Sequence, residues 1–139
     1  MNPLQPVSDI MSTQLITVMP STPLVEVVPL FEKHGIHHVP VVGPDRELAG
    51  IVAESDLLKL IGKSEREVYA MHADGIMTTS LAKLEPTDNV ATAASLFMLN
   101  RFHALPVVEG SRIVGLVTTL DLIKLIDEHE VELEDYSGA

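Results

Sequence analysis

Thr118 and Asp121 stand three residues apart in Gly115-Leu116-Val117-Thr118-Thr119-Leu120-Asp121, where an apolar run gives way to a helical pattern. Two chemistries suit a hydroxyl and a carboxylate at that spacing. Ser/Thr-x-x-Asp/Glu before an apolar run is a capping box, whose side chains satisfy orphan amide N–H groups of the first helical turn. The same pair at a helix N-terminus also suits a ligand: the carboxylate can hold a sugar diol, and the helix end tolerates a nearby phosphate. The elements that must position the pair are a strand and a helix. Ile113 to Val117 reads as a buried strand, and Leu122, Ile123, Leu125 and Ile126 read as the inner face of the helix.

The stretch occurs twice. Gly50-Ile51-Val52-Ala53-Glu54-Ser55-Asp56 keeps the pattern, and Leu57-Leu58-Lys59-Leu60-Ile61 matches Leu122-Ile123-Lys124-Leu125-Ile126. The chain is a tandem repeat, so each half is expected to bury its apolar face against the other. At 139 residues it fits one compact unit or two interdependent halves. With 4% aromatic residues and no Trp, the core must rest on Val, Ile and Leu. A net charge of −11 argues against nucleic acid or an anionic membrane as the partner. The absence of Cys excludes disulfides, a thiol nucleophile and a thiolate metal site. Met1 to Pro6 has neither a basic nor an apolar leader region, and no run reaches membrane-span length, so the expected location is the cytoplasm.

In chain order, Pro3 and Pro6 suggest an extended, mobile start. Asp9-Ile10-Met11-Ser12 matches Asp74-Gly75-Ile76-Met77-Thr78, and each is followed by a short strand, Leu15–Val18 or Leu81–Leu84. Thr22 and Asp88 then offer N-caps, with Pro23 at the first helical position of the earlier copy. Leu24, Val27, Val28 and Phe31 form one helical stripe, and Val90, Ala93, Ala94 and Phe97 form its match. Pro29 is expected to kink the first of these helices. His37-His38-Val39-Pro40-Val41-Val42 and Phe102-His103-Ala104-Leu105-Pro106-Val107-Val108 read as buried strands, each turning back through a hairpin. The expected class is α+β: two β-α-β-β-α copies in one pseudo-twofold module, sheets packed together and helices outside. The copies run over 8–61 and 74–126, with a partly helical linker at 62–73 and an acidic tail at 127–139.

These residues resemble the cystathionine-beta-synthase (CBS) domain pair. The resemblance rests on Ile-Met-Ser/Thr, then His-x-x-Pro-Val-Val, then Gly-hydrophobic-Val-Thr-x-x-Asp-Leu, in order and in both copies, and it covers nearly everything from Ser8 to Ile126. It implies a stand-alone sensor or regulator, commonly a homodimer, whose two clefts bind AMP, ADP, ATP or S-adenosylmethionine. By the same resemblance, Asp121 accepts from the ribose hydroxyls, Thr118 binds the ribose or first phosphate, and His103 faces the phosphates where the family often has Arg. Leu81, Leu105 and Val107 lie on segments that line the adenine site. In the first copy Asp56 and His37 hold the matching places, but Ala53 replaces the Thr and removes both a ligand hydroxyl and a cap. The second cleft is therefore expected to bind more tightly. With His in the phosphate position, affinity for AMP should rise as pH falls from about 8 to about 6.

Other constellations carry less. His34, His37, His38 and His103 invite a metal, yet adjacent strand residues point to opposite faces, and there is no His-Glu-x-x-His. Ser55 beside Asp56 could be dressed as a nucleophile, but it aligns with Leu120 and lies in no nucleophile elbow. Neither metal nor catalytic residue is expected. Two alternatives to the sensor are a structural dimerisation module with empty clefts and a regulatory subunit of a separate enzyme or transporter.

Overall fold

A computed structural model describes residues 2–126; the acidic tail lies outside the described residues. Two β-hairpins form the centre. Strands β1 (His38–Val42) and β2 (Leu48–Ala53) pair antiparallel, Val39 opposite Val52 and Val41 opposite Gly50. Strands β3 (Ala104–Glu109) and β4 (Arg112–Thr118) repeat the arrangement, Leu105 opposite Val117 and Val107 opposite Gly115. The expected first strand of each copy shrinks to one parallel bridge, Val18 to Val41 and Leu84 to Val107. Pro40 and Pro106 are tolerated because each strand needs only their carbonyls on that side, which accept from Val18 N–H and Leu84 N–H at 3.1 and 2.9 Å.

Helix α1 (Leu24–His34) buries Leu24, Val27 and Phe31 against β1 and β2. Val28, expected on that stripe, is exposed, so the apolar face is narrower than its spacing suggests. The helix continues through Pro29, which faces solvent, where water can satisfy the carbonyl its missing N–H leaves free. Helix α3 (Val90–Met98) buries Val90 and Ala93 in the matching place. Its N-cap is Asn89, whose side chain accepts from Thr92 N–H at 2.9 Å, one residue later than expected. Thr22 and Asp88 instead close the preceding turns, accepting from Met19 N–H and Glu85 N–H. Between the copies, the linker carries the short helix α2 (Glu65–Tyr69), capped by Ser64.

The leading segments cross over. Ser12 of the first copy exchanges two backbone hydrogen bonds with Leu116 of β4, at 2.9 and 3.0 Å. Thr78 of the second copy does the same with Ile51 of β2, at 2.8 and 3.0 Å. Val7 is fully buried among Leu84, Ala93, Leu105, Val107 and Val117, while Ala73 and Ile76 are buried with the α1 core. The chain start is correspondingly tied down rather than mobile: Val90 N–H donates to the Gln5 carbonyl and Val7 N–H to the Asp88 carbonyl. Glycine permits the crossings. A Cβ on Gly50 would lie 2.9 Å from the Thr78 carbonyl oxygen, and one on Gly115 would lie 2.8 Å from Met11 Cγ. The inner faces of the hairpins then meet through Val42, Val108 and Ile113 and through Ile51, Ala104 and Leu116, with Leu15 and Leu48 filling between them. The architecture is α+β, sheet against sheet with α1 and α3 outside.

Candidate functional site

The crossing creates two clefts, each walled by parts of both copies. The larger, about 360 Å³, lies between Ser12 to Ile16, Ile36 to His38 and the end of β4, with Thr118, Thr119 and Leu120 on its rim. The smaller, about 180 Å³, lies between the end of β2 with Ser55 and Asp56, the segment Thr78 to Leu81, and Arg101 to Ala104. We call them the Thr118 cleft and the Asp56 cleft. His38 and His103 line both, so one imidazole wall separates the two spaces.

At the Thr118 cleft, β4 runs directly into helix α4 (Thr119–Ile126). Asp121 Oδ2 accepts from Thr118 N–H at 2.8 Å and from the Thr118 hydroxyl at 3.2 Å. The capping interaction is therefore real, yet it uses one carboxylate oxygen only. Among the described residues, Oδ1 accepts from no group and Asp121 has no cationic partner. Capping and ligand binding are compatible here.

The Asp56 cleft begins from nearly the same sequence and ends differently. Glu54–Leu60 forms a 3-10 helix in place of the expected α-helix. Asp56 is 6% exposed. Its Oδ2 accepts from Ala53 N–H at 2.8 Å, so the carboxylate half of the cap survives the loss of the Thr hydroxyl. Its Oδ1 accepts from the Thr78 hydroxyl at 3.1 Å and pairs with Lys59 Nζ at 2.8 Å. Lys59 also donates to the Ile76 carbonyl, clamping the crossed segment in place. In a 3-10 helix residues i and i+3 eclipse, which brings Lys59 over Asp56.

The site residues expected from sequence are thus divided. Thr118 and His37 gather at one cleft, with Glu54 Oε2 3.1 Å from His37 Nδ1; Asp121 is not among the lining residues and meets the cleft only through Thr118. Asp56 and Leu81 belong to the other, and His103 to both. Leu105 and Val107 are fully buried in the core of the second half and line neither cleft, because at their strand positions the side chains point toward α3. Sequence reasoning drew the residues of each cleft from a single copy and so missed Ser12, Gln14 and Leu15 opposite Thr118, and Thr78 and Ser80 opposite Asp56. The hydroxyl shared by Ser12 and Thr78 was the available signal. Arg101 and His38 were missed as well. Burial holds the His38 imidazole below its ordinary pKa, helped by His103 and His37 and opposed by Glu54 and Asp56.

Comparison with known proteins follows the duplication. The sequence profile of the CBS domain matches residues 7–63 and again 73–128. The structure is similar to the CBS domain pair of protein MJ0100 in complex with 5′-methylthioadenosine and S-adenosyl-L-methionine, with a TM-score of 0.78, 27% identity, and coverage of 90% of this chain and 98% of that one. It is also similar to CBSX2, a CBS-pair protein of Arabidopsis thaliana, in its complex with AMP: TM-score 0.79, 25% identity, 89% and 97% coverage. In sequence, an uncharacterized protein of Methanocaldococcus jannaschii, MJ1225, is 29% identical over 124 residues, 88% of this chain and 43% of that protein. The chain spans less than half the length of the curated relatives it matches.

Proposed function

Because the chain belongs to the CBS domain family, as a tandem pair, we propose that it is a regulatory module that takes an adenosine compound into the Thr118 cleft. The observation that carries this reading is the Asp121 oxygen left unshared among the described residues, on a carboxylate held by Thr118, which itself lines the larger cleft. A carboxylate oxygen with open lone pairs can accept from a ribose hydroxyl, and the Thr118 hydroxyl stands beside it. The volume of about 360 Å³ falls in the range of small-molecule sites. Leu15, Ile16, Ile36 and Leu116 supply the apolar surface for a base. The neighbours named with AMP and with S-adenosyl-L-methionine support the same ligand class.

Regulation follows from where α4 sits. Its first turn carries Asp121, and its outer side exposes Leu120, Ile123 and Ile126, with Leu58 and Ile61 exposed in the matched copy. Such apolar positions suit a second copy of the chain, a homodimer, or a regulated protein. A ligand that draws on Asp121 then biases the helix that offers this face. The chain acts by binding, without catalysis of its own.

Thermal melts with millimolar AMP, ADP, ATP or S-adenosylmethionine test the reading. A true ligand at a hundred times its dissociation constant stabilises by about 2.7 kcal/mol. Asp121→Ala should remove the shift given by a ligand of the Thr118 cleft. No shift with any of the four would leave the clefts empty and favour a purely structural pairing module.

A further inference from the structure

Resting on that reading, we propose that the two clefts sort adenosine compounds by charge: the Asp56 cleft takes the phosphorylated compound through Arg101, and the Thr118 cleft takes a compound without negative charge. Arg101 lines the Asp56 cleft beside Ser55, Thr78, Ser80 and His103. Among the described residues it is in no ion pair. Its matched position in the first copy is Gly35, and no Lys or Arg lines the Thr118 cleft.

Backbone conformation explains this asymmetry. Helix α1 ends with the left-handed residue at Gly35, φ 61°, a position that favours glycine and so carries no side chain. Helix α3 ends sooner, and the left-handed residue is Asn100, φ 56°. The next residue is then free to be an arginine, and it stands at the mouth of the cleft.

The carboxylates sharpen the contrast. Asp56 is neutralised by Lys59 at 2.8 Å, so Arg101 leaves its cleft with a surplus positive charge. Asp121 has no such partner among the described residues, and Glu54 adds a second carboxylate near His37. A phosphate entering the Thr118 cleft meets no Lys or Arg side chain in the lining, only the imidazoles of His37, His38 and His103. His38 and His103 face both spaces and cannot tell them apart. At about 180 Å³, half the size of its counterpart, the Asp56 cleft must draw its affinity from charge rather than enclosed apolar area.

Calorimetric titrations with AMP and with adenosine, on the full chain, test the division. Arg101→Gly, which installs the residue of the other copy, should weaken AMP at least about tenfold and leave adenosine unchanged. Arg101→Lys should restore most of the AMP affinity. Added salt should weaken AMP and spare adenosine in the parent protein. Saturating AMP should fail to displace adenosine, since the two occupy different clefts. The proposal is overturned if Arg101→Gly leaves AMP binding intact, if it weakens both ligands equally, or if the two compete one for one. A parent protein that binds neither compound overturns the adenosine reading itself, and this division with it.

Discussion

Leu57-Leu58-Lys59-Leu60-Ile61 and Leu122-Ile123-Lys124-Leu125-Ile126 differ at one position, yet the first lies in a 3-10 helix and its extension while the second lies in α4. The cause lies outside the stretch. Asp56 is engaged by Thr78 from the crossed segment and by Lys59, which itself reaches the Ile76 carbonyl. Among the described residues Asp121 is engaged only by its own cap residue, Thr118. Duplication therefore left one carboxylate as a structural tie and the other with an oxygen to spare. Equivalent sequence does not mean equivalent site: what a residue can offer a ligand depends on what its neighbours have already taken.

Substitutions can test how deep that inequality runs. The largest effect should come at the crossing points. Gly50→Ala drives a methyl against the Thr78 backbone carbonyl, which cannot rotate away, and should cost about 3 kcal/mol in denaturant melts. For Gly115→Ala the nearest atoms all belong to the Met11 side chain, so it should cost nearer 1 kcal/mol, recovered in part by Met11→Ala. Equal losses would mean that the two crossings are interchangeable.

Next come the carboxylates in the ligand-free protein. Asp56→Ala strands Lys59 and Thr78 and should cost about 2 kcal/mol, below the full penalty for a buried pair because Lys59 is half exposed. Asp121→Ala removes a cap and should cost about 1 kcal/mol. Reversal of that order in urea melts would undo the contrast between tie and open acid.

The smallest effect concerns the shared wall. Since burial lowers the His38 pKa, the unfolded chain binds that proton more readily than the folded one. The contribution is complete above the unfolded value of about 6.5 and is lost as pH falls below it toward the folded value. His38→Ala, the residue of the other copy, should lose less stability than the parent between about pH 7.5 and pH 5.5. Parallel pH curves would place His38 outside this role.

Much of the fold was readable from local pattern. The repeat, the buried stripes of α1 and α3, the two hairpins and the Thr118–Asp121 cap all follow from neighbours in sequence. What escaped depends on partners distant along the chain. Both copies carry the same Ile-Met-hydroxyl signature, so nothing local says that Ser12 pairs with Leu116 rather than with its own copy. Drawing the residues of each cleft from a single copy comes from that ambiguity, whereas Leu105 and Val107 rest on the family resemblance and point into the core. The 3-10 helix escaped for the same reason, since Thr78 helps to hold it. Arg101 was hidden differently, by a one-residue shift of the left-handed residue that follows the helix.

The crossed leading segments also bear on how the molecule is made. The first hairpin can close its core once residues as far as Thr78 have left the ribosome, because Ala73 and Ile76 complete it. Val7 and Ser12 must wait much longer, for partners that end at Val117. A segment synthesised before either hairpin is thus among the last to find its place, and during that interval its apolar side chains are open to capture by another nascent copy.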